Sequence, residues 1–198
     1  FLDRDGTVNE EVGYINHIER LRIFPWAGPA IFRLNHAGFR VILITNQSGV
    51  GRGYFPESLV CEVHDKLRSE LAEAGAHVDA IYYCPHHPDA AIERYRQDCP
   101  CRKPRLGMLE RAVRECHLDL GSSFLIGDKY LDMEMAFRAA IRSVLVLSGY
   151  GRGEYLYLSA TWPRQPDHVA EDLSRAVDWI LSQARLPNLS VAEDKQES

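Results

Sequence analysis

The sequence lacks long hydrophobic runs, and it has no surplus of positive charge. Its apolar runs are short, as at Val41–Ile44, whereas a membrane-spanning helix needs roughly 18 apolar residues. Asp and Glu number 28 against 23 Lys and Arg, which gives a formal net charge of -5. Surfaces that bind nucleic acid are usually basic. We therefore expect no nucleic-acid partner and no membrane partner. We also expect a cytoplasmic monomer.

The chain has five cysteines, which is an odd number. A framework of paired disulfides is therefore not expected. Three of the cysteines cluster with histidines, which suits a metal site in a reducing compartment. The length of 198 residues and the hydrophobic share of 45% suit one domain with a full core. We expect a single domain over residues 1–185 and a disordered polar tail over residues 186–198.

Short apolar runs alternate with helical patterns along the chain. Because only two apolar residues precede Asp3, we expect the chain to begin inside its first strand. Further strands are predicted at residues 40–45, 80–83, 124–126 and 143–147, with helices at 28–36, 56–74, 106–116 and 131–140. This alternation predicts an α/β fold with a parallel sheet covered on both faces. We expect Gly149–Gly153 to be flexible, and one last helix to carry Val169, Leu173 and Val177.

Polar side chains follow several of the predicted strands. In parallel α/β sheets, ligands bind at the carboxyl ends of the strands. Taken alone, each such residue is an ordinary helix cap or turn former. Several suitable strand ends in one sheet instead favour a common site. The residues are Asp3, Asp5, Thr45, Asn46 and Asp128, with Lys103 after a polar loop.

This set suits attack on a phosphate monoester. Because the ester is anionic, a carboxylate nucleophile needs the charge to be offset, as a hard cation such as Mg²⁺ does with oxygen ligands. Asp3 and Asp128 can supply those oxygens. Lys103 can neutralise a phosphoryl oxygen, and Thr45 can donate a hydrogen bond to it. Asp5, two residues beyond the nucleophile, can protonate the leaving oxygen and then activate water.

Two short metal-ligand pairs lie in the polar loop, each with one proline between its ligands. Three thiolates and one imidazole complete a tetrahedral zinc shell with no open position, so the zinc would be structural. We expect the metal to replace a hydrophobic core that this loop lacks. The alternatives are four unconnected side chains, or His87 as a ligand. Cys61 and Cys116 are expected to be buried apolar residues. The predicted ligands are Cys84, His86, Cys99 and Cys101.

The segments Asp3–Thr7, Thr45–Asn46, Lys103 and Gly127–Asp132 resemble the four motifs of the haloacid dehalogenase superfamily, in order. The resemblance implies a three-layer, Rossmann-like, doubly wound parallel sheet and a phospho-aspartyl mechanism. It makes Asp3 the nucleophile and Asp5 the acid and base. It also makes Asp3, Asp128 and the main-chain oxygen of Asp5 the Mg²⁺ ligands, with Asp132 supporting them.

The segments Tyr82–Pro88 and Cys99–Pro104 look like those of the heptose-bisphosphate phosphatases, as do Phe1–Asn9 and Thr45–Gly49. That family removes the 7-phosphate of D-glycero-D-manno-heptose 1,7-bisphosphate, on the route to nucleotide-activated heptose for bacterial surface polysaccharide. No insertion large enough for a separate cap domain is present. We therefore expect the zinc-bound loop to replace the cap as a small lid wall.

A bisphosphate substrate needs cations beyond the catalytic lysine, and arginine suits phosphate because of its planar fork. The alternative for each arginine is a solvated surface charge. By resemblance, Arg102 recognises substrate, Lys129 lies beside the metal, and two loops line the sugar site. The predicted substrate-binding residues are Glu11, Val12, Gly13, Tyr14, Asn46, Gln47, Ser48, Arg52, Arg102 and Lys129.

Three other functions compete with this interpretation. A histidinol-phosphate phosphatase shares the fold, the metals and the mechanism, but its loop between the ligand pairs tends to be shorter and its residue at position 9 is usually apolar rather than Asn9. A non-catalytic zinc-binding module and a polynucleotide-end phosphatase would both need a basic surface. The acidic balance argues against these two.

Overall fold

The computed structural model describes residues 1–184, in which parallel strands alternate with helices. No helix in this range has the length and apolarity to cross a bilayer. The tail predicted to be disordered, residues 186–198, lies outside the described residues. The strands are β1 (Ile42–Asn46), β2 (Ala80–Cys84), β3 (Phe124–Gly127), β4 (Arg142–Val146) and β5 (His168–Ala170). The helices are α1 (Ala27–His36), α2 (Glu57–Glu73), α3 (Gly107–Cys116), α4 (Tyr130–Arg138), α5 (Gly151–Leu158) and α6 (Leu173–Ala184).

The first residues of the chain join the strands into one parallel sheet. Leu2 bridges Leu43 of β1 on one side and Ile126 of β3 on the other. The Asp3 N–H donates to the Ile126 carbonyl at 2.9 Å, so the pairing runs up to the first functional residue. The order is therefore β2, β1, residues 1–3, β3, β4 and β5. The predicted doubly wound parallel sheet is confirmed.

Helices cover both faces of this sheet, because successive strand residues point to opposite sides. Leu43 packs into a buried cluster that includes residues of α1, α2 and α6. Its neighbours Ile42 and Ile44 pack into a second cluster with residues of α3 and α4. The three predicted layers are thereby confirmed, and the carboxyl ends of the strands meet at one edge.

The prediction for the region after β4 was wrong in two places. Gly149–Gly153 is not a flexible stretch, because α5 begins at Gly151. A Cβ on Gly151 would lie 1.8 Å from the Val146 carbonyl oxygen, so only glycine fits there. Val169 lies on β5 and not on the last helix, which begins after Asp172. The Asp172 carboxylate accepts a hydrogen bond from the Arg175 N–H at 3.0 Å, as an N-cap does.

Cys61 also differs from its prediction. It is exposed on α2, whereas Cys116 is partly buried. The apolar face of α2 is formed instead by Val60, Val63 and Leu67, which are buried.

Candidate active site

Three carboxylates meet at the carboxyl edge of the sheet. Asp3 follows the first paired residues, Asp128 follows β3, and Asp132 lies in the first turn of α4. One oxygen from each lies within 4.8 Å of the others. All three are buried, with Asp128 fully inaccessible. Buried carboxylates this close repel one another, so the arrangement calls for a cation between them.

The two carboxylate oxygens of Asp128 differ in their hydrogen bonding. Its Oδ2 accepts a hydrogen bond from the Tyr150 N–H at 2.8 Å. Its buried Oδ1 has no hydrogen-bond partner among the described residues. A Cβ on Gly6 would lie 2.1 Å from Oδ2, and one on Gly149 would lie 2.2 Å from it, so both approaches require glycine. An unpartnered buried carboxylate oxygen beside two further carboxylates fits a hard divalent cation.

Burial sets the ionisation of this cluster. It raises the pKa of Asp3 to about 6, against the lowering effect of Lys103. It also raises the pKa of Asp128 to about 8, helped by the negative charges of Asp3 and Asp132. A bound divalent cation would favour the ionised carboxylates. Cation binding and proton release are therefore coupled at this site.

Lys103 lies between two of the carboxylates. Its Nζ is 2.7 Å from an Asp3 oxygen and 2.6 Å from an Asp132 oxygen. Burial opposes its charge, but Asp132 and Asp3 together raise the pKa of Lys103, so it stays protonated. The Asn46 amide clamps the lysine backbone, accepting from its N–H at 3.0 Å and donating to its carbonyl at 3.3 Å. This clamp ties the end of β1 to the end of the polar loop.

Asp5 lies outside the carboxylate cluster and is held by three neighbouring side chains. Arg4 donates to it at 2.8 Å, Asn9 at 2.9 Å and Gln47 at 2.9 Å. Burial alone would raise the pKa of Asp5, but the Arg4 charge and these hydrogen bonds lower it below its ordinary value. Gln47 also donates to the Thr45 hydroxyl at 2.8 Å. The Gln47 amide thus links Asp5, the predicted acid and base, to Thr45, the predicted hydrogen-bond donor to phosphate.

The support for Asp5 includes a buried pair of side chains that the sequence did not predict. The Arg4 side chain is only 1% exposed, and its Nη1 lies 3.1 Å from Nε2 of the buried His64 on α2. Burial and then the Arg4 charge lower the pKa of His64 to about 3, so the ring is neutral and accepts from Arg4. The adjacency of Arg4 to Asp5 was the only local signal. Nothing in the sequence indicated His64, because it lies on a separate helix.

The loop after Asp5 forms one side of the site mouth. Glu11 accepts a hydrogen bond from the Gly13 N–H at 2.6 Å and contacts Lys129 Nζ at 3.1 Å. The Val12 carbonyl accepts from the Tyr14 N–H, so the segment forms a tight turn. Gly13 has a φ of +78°, which favours glycine. The Tyr14 ring packs edge-on against Tyr54, with centroids 4.9 Å apart.

Two arginines lie over the polar loop on the other side of the mouth. Arg52 Nη2 is 3.0 Å from His87 Nε2, and the Arg102 guanidinium donates to the His86 carbonyl at 3.3 Å. The Arg52 N–H donates to the Ser48 carbonyl at 2.9 Å, which fixes the loop after β1. Burial, then the charges of Arg102 and Arg52, lower the pKa of His87. His87 is therefore neutral and adds no third positive charge beside the two arginines.

The cysteine and histidine side chains predicted as zinc ligands form one group. One atom from each of the four lies within 4.8 Å of the others. His86 Nδ1 lies 3.7 Å from Cys84 Sγ and 3.8 Å from Cys101 Sγ, so His86 rather than His87 joins the thiols. Three sulfurs and one imidazole nitrogen form a donor set that suits tetrahedral zinc.

The polar loop has more apolar support than its composition suggested. Ala90 and Tyr95 are buried against Val50, Phe55 and Val60, in a small cluster beside α2. Tyr95 also donates to a Glu57 oxygen at 2.6 Å. The loop supplies only two residues to this core, as its composition predicts, but residues outside the loop complete a small apolar cluster that the sequence did not indicate.

A cavity of about 770 Å³ opens at the opposite, amino edge of the sheet. Its lining includes Arg40 and Arg142 and a single carboxylate, Asp119. That carboxylate already accepts from the Gly121 N–H at 3.0 Å. The converging carboxylates and lysine lie at the carboxyl edge instead, so we place the candidate active site there.

Comparisons with known proteins find phosphatases that are similar to this chain. A family model described as HAD-hydrolase-like matches residues 100–176. The D-glycero-beta-D-manno-heptose-1,7-bisphosphate 7-phosphatase of Photorhabdus laumondii is 45% identical over 150 residues, which cover 75% of this chain and 80% of that protein. The D-glycero-D-manno-heptose-1,7-bisphosphate 7-phosphatase of Thermosynechococcus vestitus is 42% identical over 190 residues, covering 92% of this chain and 94% of that protein.

A solved structure is similar over most of the chain. It is the D,D-heptose 1,7-bisphosphate phosphatase from B. bronchiseptica, complexed with magnesium and phosphate. It superposes with a TM-score of 0.81 at 35% identity, covering 92% of this chain and 97% of that one.

Proposed function

The chain belongs to the haloacid dehalogenase-like hydrolases, in the family of the heptose-bisphosphate 7-phosphatases, and we propose that it hydrolyses the 7-phosphate of D-glycero-D-manno-heptose 1,7-bisphosphate. The product would serve the synthesis of nucleotide-activated heptose for surface polysaccharide. The observation that carries the proposed chemistry is the carboxylate cluster of Asp3, Asp128 and Asp132, closed by Lys103 at 2.7 Å from Asp3. The proposed substrate is that named for the similar proteins.

Asp3 is the proposed nucleophile. Its carboxylate attacks phosphorus, the bond to the sugar oxygen breaks, and an aspartyl phosphate forms. Lys103 contacts both Asp3 and Asp132, so its charge offsets the negative charge that gathers at phosphorus. The buried Thr45 hydroxyl is proposed to donate to a phosphoryl oxygen.

Asp5 is the proposed acid and base. It gives a proton to the leaving sugar oxygen, then takes one from the water that hydrolyses the aspartyl phosphate. Its lowered pKa in the substrate-free protein suits the second step. An arriving phosphate dianion disfavours the ionised carboxylate and so prepares the first step. Arg4, Asn9 and Gln47 hold Asp5 in place between the two steps.

The residues proposed to hold Mg²⁺ are Asp3, Asp128 and the main-chain oxygen of Asp5, with Asp132 supporting them. When bound there, Mg²⁺ supplies charge neutralisation at the phosphoryl oxygens. The unpartnered Oδ1 of Asp128 supports this assignment.

Zn²⁺ is proposed as the structural metal of the loop, with Cys84, His86, Cys99 and Cys101 as ligands. The loop then holds Arg102 and Lys103 in place. The proposed substrate-binding residues line both sides of the mouth: Glu11, Val12, Gly13, Tyr14, Asn46, Gln47, Ser48, Arg52, Arg102 and Lys129. We further propose one domain over residues 1–185 and a cytoplasmic monomer.

A phosphate-release panel tests the substrate. It compares both anomers of heptose 1,7-bisphosphate with histidinol phosphate and fructose 1,6-bisphosphate, each with and without Mg²⁺. We expect Mg²⁺-dependent release that is fastest from one heptose anomer. Faster release from histidinol phosphate would replace the heptose proposal, and equal rates without Mg²⁺ would contradict the metal assignment.

A further inference from the structure

Lys129 spans two loops that flank the active site. It follows Asp128 directly, and its Nζ lies 3.1 Å from the Glu11 carboxylate on the opposite loop. Its side chain is 34% exposed, whereas Asp128 beside it is fully buried. The lysine therefore lies between the buried carboxylate cluster and solvent, where a phosphorylated substrate must enter.

The Tyr150 ring lies against the same ammonium group. Lys129 Nζ is 4.2 Å from the ring centroid, within the range of a cation–π contact. The backbone N–H of Tyr150 donates to Asp128 at 2.8 Å, so the segment is fixed to the site from which Lys129 extends. Tyr150 is 49% exposed, and within residues 1–184 its hydroxyl has no hydrogen-bond partner.

A ring and a carboxylate hold a lysine in different ways. An ammonium group has three N–H donors, and the contact with Glu11 uses one of them. Attraction to a π-face does not need a hydrogen-bond acceptor, so at least one donor stays available to an anion. If Glu11 were the only partner, the flexible lysine stem could settle fully on that carboxylate and compete with substrate.

We propose that Tyr150 is a positioning residue that holds Lys129 Nζ at the mouth of the site, where a remaining N–H donor is directed to an anionic group of the substrate. This inference rests on the proposed phosphatase function and deepens it. The phenol hydroxyl takes no part, and the ring acts only through Lys129. Tyr150 therefore affects substrate affinity more than the chemical step.

The test compares steady-state kinetics of Tyr150→Leu, Tyr150→Phe and Tyr157→Leu on heptose 1,7-bisphosphate at saturating Mg²⁺. Tyr157 is an exposed tyrosine on α5 and serves as the matched control. We expect Tyr150→Leu to raise KM about three- to tenfold, in line with a partly exposed cation–π contact, while kcat stays within about twofold. Tyr150→Phe restores the wild-type KM, and Tyr157→Leu leaves both constants unchanged.

A double-mutant cycle shows whether Tyr150 acts through Lys129. In a Lys129→Met background, Tyr150→Leu is expected to raise KM no further. The same rise in that background, or an unchanged KM in Tyr150→Leu itself, overturns the proposal. So does a several-fold loss of Mg²⁺ affinity in Tyr150→Leu, which would assign its effect to Asp128.

If even the wild type does not hydrolyse the heptose substrate, the function proposal fails, and the same cycle on para-nitrophenyl phosphate still tests Tyr150.

Discussion

At the scale of single residues, Asp128 shows how the proposed activity opposes stability. The fold buries this carboxylate, gives it one backbone donor at 2.8 Å and leaves its other oxygen unpartnered. Burial raises its pKa to about 8. Between about pH 4 and pH 8 the metal-free folded protein therefore holds a proton that the unfolded chain releases. Stability must fall as pH rises through this window, by at most about 1.4 kcal/mol per pH unit for one group.

We therefore expect Asp128→Asn to stabilise the metal-free protein at pH 8, with the gain shrinking toward pH 4. The amide is neutral at both pH values, and its oxygen can still accept from the Tyr150 N–H. Urea unfolding at several pH values, with and without Mg²⁺, measures the effect. Mg²⁺ should stabilise the wild type and leave the variant unchanged, and phosphatase activity should be lost in the variant.

Asp132→Asn is the matched control for this experiment. Asp132 pairs with Lys103 at 2.6 Å, so neutralising it removes a partner from a buried cation and should destabilise the protein. If Asp128→Asn also proved less stable than the metal-free wild type at pH 8, the account of Asp128 would be wrong.

At the scale of elements, the loop between β2 and α3 joins the proposed zinc site to the catalytic lysine. Cys99 and Cys101 end the metal group, and Lys103 lies two residues further on. A Cβ on Gly107 would lie 2.7 Å from the Pro100 carbonyl oxygen, so the start of α3 packs directly on this turn. A disturbance of the metal group should therefore reach Lys103 through a few residues of chain.

Cys99→Ser is expected to lower the zinc content and to speed hydrogen exchange in residues 84–105, because a serine hydroxyl is a poor substitute for a thiolate ligand. We also expect KM to rise, since Arg102 and Lys103 lose their support. Metal analysis, hydrogen exchange and kinetics on one preparation measure these effects.

Cys61→Ser supplies the control, because Cys61 is exposed on α2 and lies outside the metal group. It should keep the wild-type zinc content and KM. A wild-type protein purified without chelators that held no zinc would rule out the proposed structural metal.

Some of the strands and helices could be predicted from the sequence, and others could not. Strands and their polar ends were predictable, because apolar runs and the residues that follow them are adjacent in the chain. The start of α5 was not, since its glycines look flexible until Gly151 is seen against the Val146 carbonyl. Val169 was assigned to a helix because its spacing from Leu173 fits one, although Asp172 caps the helix after it.

At the scale of the whole molecule, the sheet brings distant residues to one edge. Parallel pairing of Leu2 with both β1 and β3 places Asp3 between β1, which carries Thr45, and β3, which Asp128 follows. Their convergence could be predicted from topology alone. The contacts of Arg4 with His64 and of Tyr150 with Lys129 could not, because they depend on the packing of side chains from separate elements.

Measuring phosphate release by Asp3→Asn tests the central claim most directly. The substitution keeps the shape of the side chain and removes the nucleophilic carboxylate. We predict a loss of turnover of about a thousandfold or more on heptose 1,7-bisphosphate, as expected for a covalent nucleophile, in a protein that unfolds cooperatively like the wild type. A folded Asp3→Asn variant that released phosphate at the wild-type rate would contradict the account.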